Sequence, residues 1–494
     1  MFESAELGHK IDKADYDKQA PVLREALLEA QMDLAASCRF PVIILIGGLD
    51  GAGRGETVNL LNEWMDPRFI DTHGMGSPSD EEQARPIMWR FWRVLPPKGK
   101  IGLFLGSWYT RPILDRVSGR IKNAELAQQM NSANRLEKML TDEGALIIKF
   151  WLHLSKQKQK KRLQLLEENP KTRWRVTERD WKHYQQYHKL IKVNESMIRQ
   201  TSTAEAPWII VEGYDTHYRN LTVGKVILDA LRKRLDSTDS KATLITQAPL
   251  PLPAIDHLDI LKKLDLEQHI DKPTYQEKLE KYQGKLSLIT RDPRFKDITV
   301  IVVFEGNDAA GKGGAIRRIA GSLDAHRYTI IPIAAPSEEE RAQPYLWRFW
   351  RHIPGRGRLT IFDRSWYGRV LVERVEGFCS QIDWMRAYSE INDFEAQLVA
   401  HNTVLVKFWL AISKDEQLKR FNERSQSGFK RFKITAEDWR NREKWDDYEL
   451  AVCDMVDSTS TDIAPWTLVE ANDKNFARIK ILKTLCHRIA AAWD

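Results

Sequence analysis

At 494 residues, 42% hydrophobic and 29% charged, the chain is too long for one ordinary core, so two globular domains of about 230 residues each are expected. No run approaches the roughly 20 apolar residues of a membrane span, and Cys38, Cys379, Cys453 and Cys486 lie far apart, which argues against a membrane protein, a disulfide framework and a zinc site. The formal charge of +7, from 76 basic and 69 acidic residues, favours an anionic partner only modestly; the start MFESAELGHKIDKADYDKQ shows no export signal, so a cytoplasmic location is the default.

In chain order, a polar helical stretch containing IDK (Ile11 to Lys13) leads to an apolar β run, VIILIGG, and a glycine-rich turn around Asp50, GGLDGAGRGETV. Three more β runs follow, IGLFLG, ALIIKFWL and PWIIVEG, separated by stretches long enough for helices. The prolines of TQAPLPLPAIDH then suit an extended connector. Beyond it the order starts again: IDK at Ile270 to Lys272, DITVIVVF, the turn EGNDAAGKGGAI around Asp308, then RLTIFDR, TVLVKFWL and PWTLVEA. Helices are expected over Trp384 to Ala400 and Ala436 to Val456. Asp50 and Asp308 are 258 residues apart, and the offset holds without gaps for Trp89 to Arg93 against Trp347 to Arg351, Ser107 to Tyr109 against Ser365 to Tyr367, and Lys149 to Trp151 against Lys407 to Trp409. The chain is a tandem repeat, with residues 1–236 as the first domain, 237–266 as the connector and 267–494 as the second domain. Alternating strands and helices predict an α/β fold in each, a parallel sheet flanked by helices.

The two copies differ where chemistry would sit. Gly306 to Lys312 fits the phosphate-loop (Walker A) spacing, in which glycines let backbone amides converge on phosphate oxygens and the lysine reaches a terminal phosphate. The phosphate-binding set is therefore Gly306, Gly311, Gly313 and Gly314. Gly313 replaces the Ser or Thr that normally ligates magnesium, so Asp308 in the loop and Asp363 at the end of RLTIFD are the expected Mg²⁺ ligands, hard oxygen donors suited to that ion. Arg364 follows as a source of charge for a moving phosphoryl group. Arg420 and Arg424, four apart on one helix, and the following Lys430, Arg431 and Lys433 resemble a cationic helical lid. Eight arginines between Arg341 and Arg374, against the acids Asp363 and Glu373, suggest a segment facing a polyanion, whereas the aromatics of WRFWR are assigned to packing. At the same offset the first copy has Arg54 for Lys312, Leu105 for Asp363, Gly106 for Arg364 and Leu166 for Arg424.

GNDAAGKGG, WRFWR followed by Pro354, FDRSWYGRVLVERV, KFWL and the stretch ending in ITAEDW closely resemble the type-2 polyphosphate kinase family, over essentially all of both copies. The resemblance implies a phosphate-loop kinase fold that moves phosphate between inorganic polyphosphate and nucleotides with Mg²⁺. It places Asp308, Lys312, Asp363 and Arg364 at catalytic positions and Arg420, Arg424, Lys430 and Lys433 at lid positions. The fused arrangement with a degenerate first domain resembles the subgroup that makes ADP from AMP. The first copy is then structural, as the counterpart of an interface that single-domain relatives build from two chains, or as a docking surface for polyphosphate. Other readings stay open: phosphorylation of ADP to ATP, an ATP-dependent nucleoside monophosphate kinase, or a non-catalytic polyphosphate-binding module. Nucleic acid is not an expected partner, because the basic residues carry no recognised reading motif. Assembly as a homo-oligomer is not set by the sequence.

Overall fold

The computed structural model describes residues 1–237, 260–428, 432 and 434–493. The proline-containing connector and three basic residues of the expected lid, Lys430, Arg431 and Lys433, lie outside the described residues. The described residues form two compact units, one holding 1–78, 90–237 and 336–348, the other 79–89, 260–335 and 349–493. Apart from the short stretches 79–89 and 336–348, units and repeats coincide.

In the first unit, β1 (Val42–Gly48), β2 (Ile70–Gly74), β3 (Ile101–Leu105), β4 (Leu146–His153) and β5 (Trp208–Glu212) form one sheet in the order β2-β3-β1-β4-β5. In the second, β6 (Thr299–Gly306), β7 (Tyr328–Pro332), β8 (Leu359–Asp363), β9 (Thr403–Ala411) and β10 (Trp466–Glu470) repeat that order as β7-β8-β6-β9-β10. The described strand pairs are parallel in both sheets. Central strand β6 is buried from Thr299 to Glu305, as expected of a β-branched run covered on both faces. Its neighbours are β8, with Phe304 opposite Asp363, and β9, with Gly306 opposite Leu410. The order reverses direction around the central strand, so the crevice at the strands' carboxyl ends is where a ligand would sit.

The sequence reading finds four strands per copy; the structure adds a fifth, β2 and β7. Both are edge strands with alternating or exposed residues such as Thr329 and Ile330, and they lack the apolar run by which buried strands are recognised. The helix expected over Ala436 to Val456 is two helices, Ala436–Glu443 and Trp445–Thr459, because Lys444 leaves helical geometry with ψ 29°. The IDK stretches do precede helices: Asp12 and Asp271 are N-caps whose carboxylates accept from the amides of Asp15 and Thr274.

One buried polar network is built identically in both units. In the second, the Lys407 ammonium on β9 donates to Glu395 (2.7 Å), the Tyr367 hydroxyl (2.8 Å) and the Thr459 carbonyl (2.8 Å), which occupies its three donors. Glu395 also accepts from Trp366 Nε1 at 3.0 Å and Tyr367 Oη at 2.6 Å. In the first unit Lys149 donates to Glu137 and the Thr201 carbonyl, both at 2.6 Å, and Trp108 and Tyr109 donate to Glu137. A buried carboxylate–ammonium pair is tolerated only when its remaining hydrogen-bonding capacity is filled. The KFW and SWY matches in the sequence therefore record a shared core. The WRFWR aromatics likewise pack, with Phe349 and Trp350 buried and Phe349 edge-on to Trp366.

Candidate functional site

The loop between β6 and the helix Lys312–Ala320 requires glycine at two places. Gly306 has φ 148°, and a Cβ there would lie 2.5 Å from the Leu410 carbonyl oxygen; Gly311, the N-cap, has φ 113°. Two other positions adopt left-handed backbone without glycine, Ala309 at φ 65° and Arg364 at φ 64°. Their counterparts in the first unit are Gly51 at φ 79° and Gly106 at φ 85°. The backbone is thus the same in both units, but the second keeps a side chain in a conformation unfavourable by about 1–2 kcal/mol. Strain of that kind concentrates at functional sites.

Around this loop lies a cavity of about 460 Å³. It brings together Asp308, Gly311, Lys312, Gly313, Gly314, Asp363, Arg364, Arg420 and Arg424 of the residues expected from the sequence, and adds Arg317, Lys474 and Arg478, with Glu423 and Asp438. Gly306 lines a second, smaller cavity of about 80 Å³, which shares Asp308 and Arg364 with the first and includes Trp445 and Tyr448. The Lys312 ammonium lies 2.7 Å from the Gly306 carbonyl oxygen. Asp308 accepts from Arg364 Nη2 at 3.3 Å and from Asn441 Nδ2 at 2.8 Å. Asp363 makes no side-chain hydrogen bond with any described residue. Burial works against the Arg364 charge, but the carboxylates of Asp308, Glu305 and Glu437 outweigh it and hold its pKa above the ordinary value. Burial, with Arg420 beside it, pulls the Lys474 ammonium below its usual range, as expected where cations crowd without enough counter-charge.

Two expectations change. Arg420 is buried, and its guanidinium is occupied by the protein: Nε donates to Glu416 (2.6 Å), Nη1 to the Ala309 and Ala310 carbonyls, and Nη2 to those of Ala471 and Asn472. It holds the loop in shape from the cavity wall and is not a free lid cation; Arg424, one turn on, lines the same cavity. The run of eight arginines is not one anion-facing surface either. Of the eight, only Arg364 lines the cavity; Arg369 pairs with Glu373 at 3.0 Å and Arg374 with Asp454 at 2.7 Å. Nearness in sequence is not nearness in space.

No sequence motif marks Glu305. This carboxyl group is buried at the end of β6, accepts from Ser365 Oγ at 2.8 Å, and is pushed upward in pKa by burial against the pull of Lys312 and Arg364. A residue-by-residue use of the 258-residue offset reveals it, since its counterpart is Gly47. The same comparison reveals Arg317, Lys474 and Arg478, whose counterparts are the uncharged Asn59, Thr216 and Asn220.

Among the described residues no three His, Cys, Asp or Glu side chains cluster as a metal cage, and no helix is long and apolar enough to cross a membrane. Asp308 and Asp363 face one cavity, and two carboxylates completed by water and phosphate oxygens suit a magnesium ion.

The polyphosphate kinase 2 (PPK2) family matches residues 10–239 and 269–493. The chain is 57% identical to a polyphosphate:AMP phosphotransferase of Pseudomonas aeruginosa, covering 100% of this chain and 99% of the other. It is 54% identical to one of Pseudomonas syringae pv. tomato, with the same coverage. The crystal structure of a putative polyphosphate kinase 2 from Pseudomonas aeruginosa superposes with a TM-score of 0.90 at 56% identity, covering 100% and 99%. With two copies of the family's domain, two sheets of one topology and a phosphate loop intact in the second, the chain belongs to the polyphosphate kinase 2 family.

Proposed function

We infer that this chain transfers the terminal phosphate of inorganic polyphosphate to AMP, giving ADP and a polyphosphate shorter by one residue, with the chemistry in the second unit. The observation that carries this reading is the second unit's loop cavity, in which lysine and arginine side chains outnumber carboxylates. A triphosphate needs fewer such cations than a long polyanion, which favours polyphosphate as donor. The full-length relatives named polyphosphate:AMP phosphotransferases support AMP as acceptor.

Phosphoryl transfer needs alignment and positive charge more than covalent help. Backbone amides of the loop and the N-terminal end of the helix Lys312–Ala320 would hold the donor's terminal groups. Lys312 and Arg364 would balance charge on the phosphoryl group as the bond to the rest of the polyphosphate breaks and the bond to an AMP phosphate oxygen forms. Asp308 and Asp363 would hold Mg²⁺, which neutralises phosphate oxygens when bound. Arg424, Lys474 and Arg478 would carry the donor's more distant phosphates, and Glu305 would fix Ser365, the residue after Arg364.

The deciding experiment supplies purified protein with Mg²⁺, long-chain polyphosphate and either AMP or ADP, without ATP. ADP formed from AMP, and lost in Lys312→Ala, supports the reading. ATP formed from ADP alone would replace AMP as acceptor, and no turnover would remove the reading.

A further inference from the structure

In the first unit the equivalent loop is closed by the protein's own charges. Glu56, in the first turn of the helix Arg54–Trp64, bonds Arg162 at 2.7 Å, Arg219 at 2.9 Å and Arg175 at 3.3 Å. Arg219 is buried, with 1% of its surface exposed, and its guanidinium lies against the loop: a Cβ on Gly53 would meet Nη1 at 2.0 Å. From there Arg219 Nη1 also donates to the Gly213 carbonyl at 3.0 Å. It supports the loop as Arg420 does in the second unit, although the offset equivalent of Arg420 is Arg162. Arg162 is thereby released to Glu56.

The counterpart of Glu56 is Gly314. There the nearest groups beyond the backbone are guanidinium: a Cβ on Gly314 would have Arg478 Nη2 at 3.4 Å and Arg318 Nη1 at 3.9 Å. One position thus carries a carboxylate tied to three arginines in the first unit, and no side chain beside an open cationic cavity in the second. The other first-unit groups are paired too. Arg54, standing where Lys312 would be, bonds Asp50, and the second oxygen of Asp50 is 2.7 Å from His183 Nδ1.

We propose that the Glu56 carboxylate is a built-in counter-anion that occupies the first unit's former phosphate site and excludes polyphosphate from it. The chain then engages polyphosphate at one phosphate loop instead of two. This rests on the reading of the second loop as the polyphosphate site. The substitution Glu56→Gly, which installs the second unit's residue, leaves three guanidinium groups without their anion and opens the site to a multivalent phosphate.

The test uses the full chain and tripolyphosphate as probe, with bound anion counted by equilibrium dialysis and amide hydrogen exchange followed over residues 51–64. For the parent, about one tripolyphosphate per chain and no change in exchange over this segment are expected. For Glu56→Gly, exchange should quicken in chloride buffer and slow again as tripolyphosphate is added, with about one further anion bound. Glu56→Gln, which keeps the size and removes the charge, should shift in the same direction by less. The proposal is overturned if tripolyphosphate already protects 51–64 in the parent. It is equally overturned if the faster exchange of Glu56→Gly is not reversed by the anion, which would make Glu56 a packing residue only. ADP formation from AMP should stay within about twofold in Glu56→Gly; if the parent itself forms no ADP, the function reading fails while the anion count still judges Glu56.

Discussion

The two phosphate loops share backbone, the two required glycines and sheet order, yet one faces an open cationic cavity and the other is sealed by internal ion pairs. Gly306 and Gly48 have φ of 148° and 143°, and Gly311 and Gly53 have 113° and 90°. Lys312 rests on loop carbonyls with no carboxylate partner among the described residues, whereas Arg54 is bonded to Asp50. The difference teaches that a phosphate loop is a necessary cradle and not a sufficient site. Its function depends on whether the charges around it are left for a ligand or neutralised by the chain.

The comparison breaks most readily at the groups held apart from it. Arg364→Gly gives the second unit the first unit's residue at an unchanged φ. ADP formation should fall about 10³-fold or more, while unfolding free energy changes by less than about 1 kcal/mol, because relief of backbone strain offsets the lost contacts. A comparable loss of stability would mean that Arg364 is structural. Asp363→Ala should abolish activity to a similar degree and Leu105→Ala should not; equal losses at both would end the asymmetric reading. Next come Glu395→Ala and Glu137→Ala, each of which strands a buried lysine. Each should destabilise its own unit by about 3–5 kcal/mol in denaturant unfolding, and a large effect in one unit only would contradict the equivalence of the networks.

Smaller effects sharpen the picture. Glu305→Gln and Ser365→Ala should lower kcat about 10- to 100-fold with little change in stability, since they loosen a group that orients the Arg364 segment. If KM rises alone, Glu305 serves binding instead. Last is acid stability. Asp50 is pushed upward by burial, but the His183 hydrogen bond and the Arg54 charge outweigh this and hold its carboxyl below the usual carboxylate range. A depressed carboxyl group contributes stability above its unfolded pKa and loses it as pH falls through the folded value. Asp50→Asn should therefore flatten the first unit's loss of stability below about pH 4, measured by unfolding at stepped pH.

The repeat, the loop and the family were legible because each depends on a pattern along the chain. β runs alternate with helical stretches, glycines recur at fixed spacing where the backbone must turn left-handed, and one offset aligns both halves. Asp308, Lys312, Asp363, Arg364 and Arg424 stand out as candidates because they sit in those patterns or break the repeat. Glu305, Arg317, Lys474 and Arg478 break the repeat as well, but no motif draws attention to them. Edge strands β2 and β7 escaped because solvent on one side removes the apolar signature.

By itself the sequence determined the two α/β domains, their shared topology and which of them retains the loop lysine, since these follow from local backbone preference and hydrophobic pattern. Only the tertiary structure decided what each charge does. Arg420 and Arg424 differ by one helical turn and both border the cavity, yet the Arg420 guanidinium is buried among carbonyls. Arg162 and Arg420 are equivalent in sequence, yet Arg162 bonds Glu56 in the helix after the loop, whereas Arg420 bonds Glu416 on its own helix and the loop carbonyls. A charged side chain takes its role from the partners that folding brings within about 3 Å, and the deciding ones can be far off in sequence: Glu56 lies 106 residues from Arg162 and Ala471 lies 51 from Arg420.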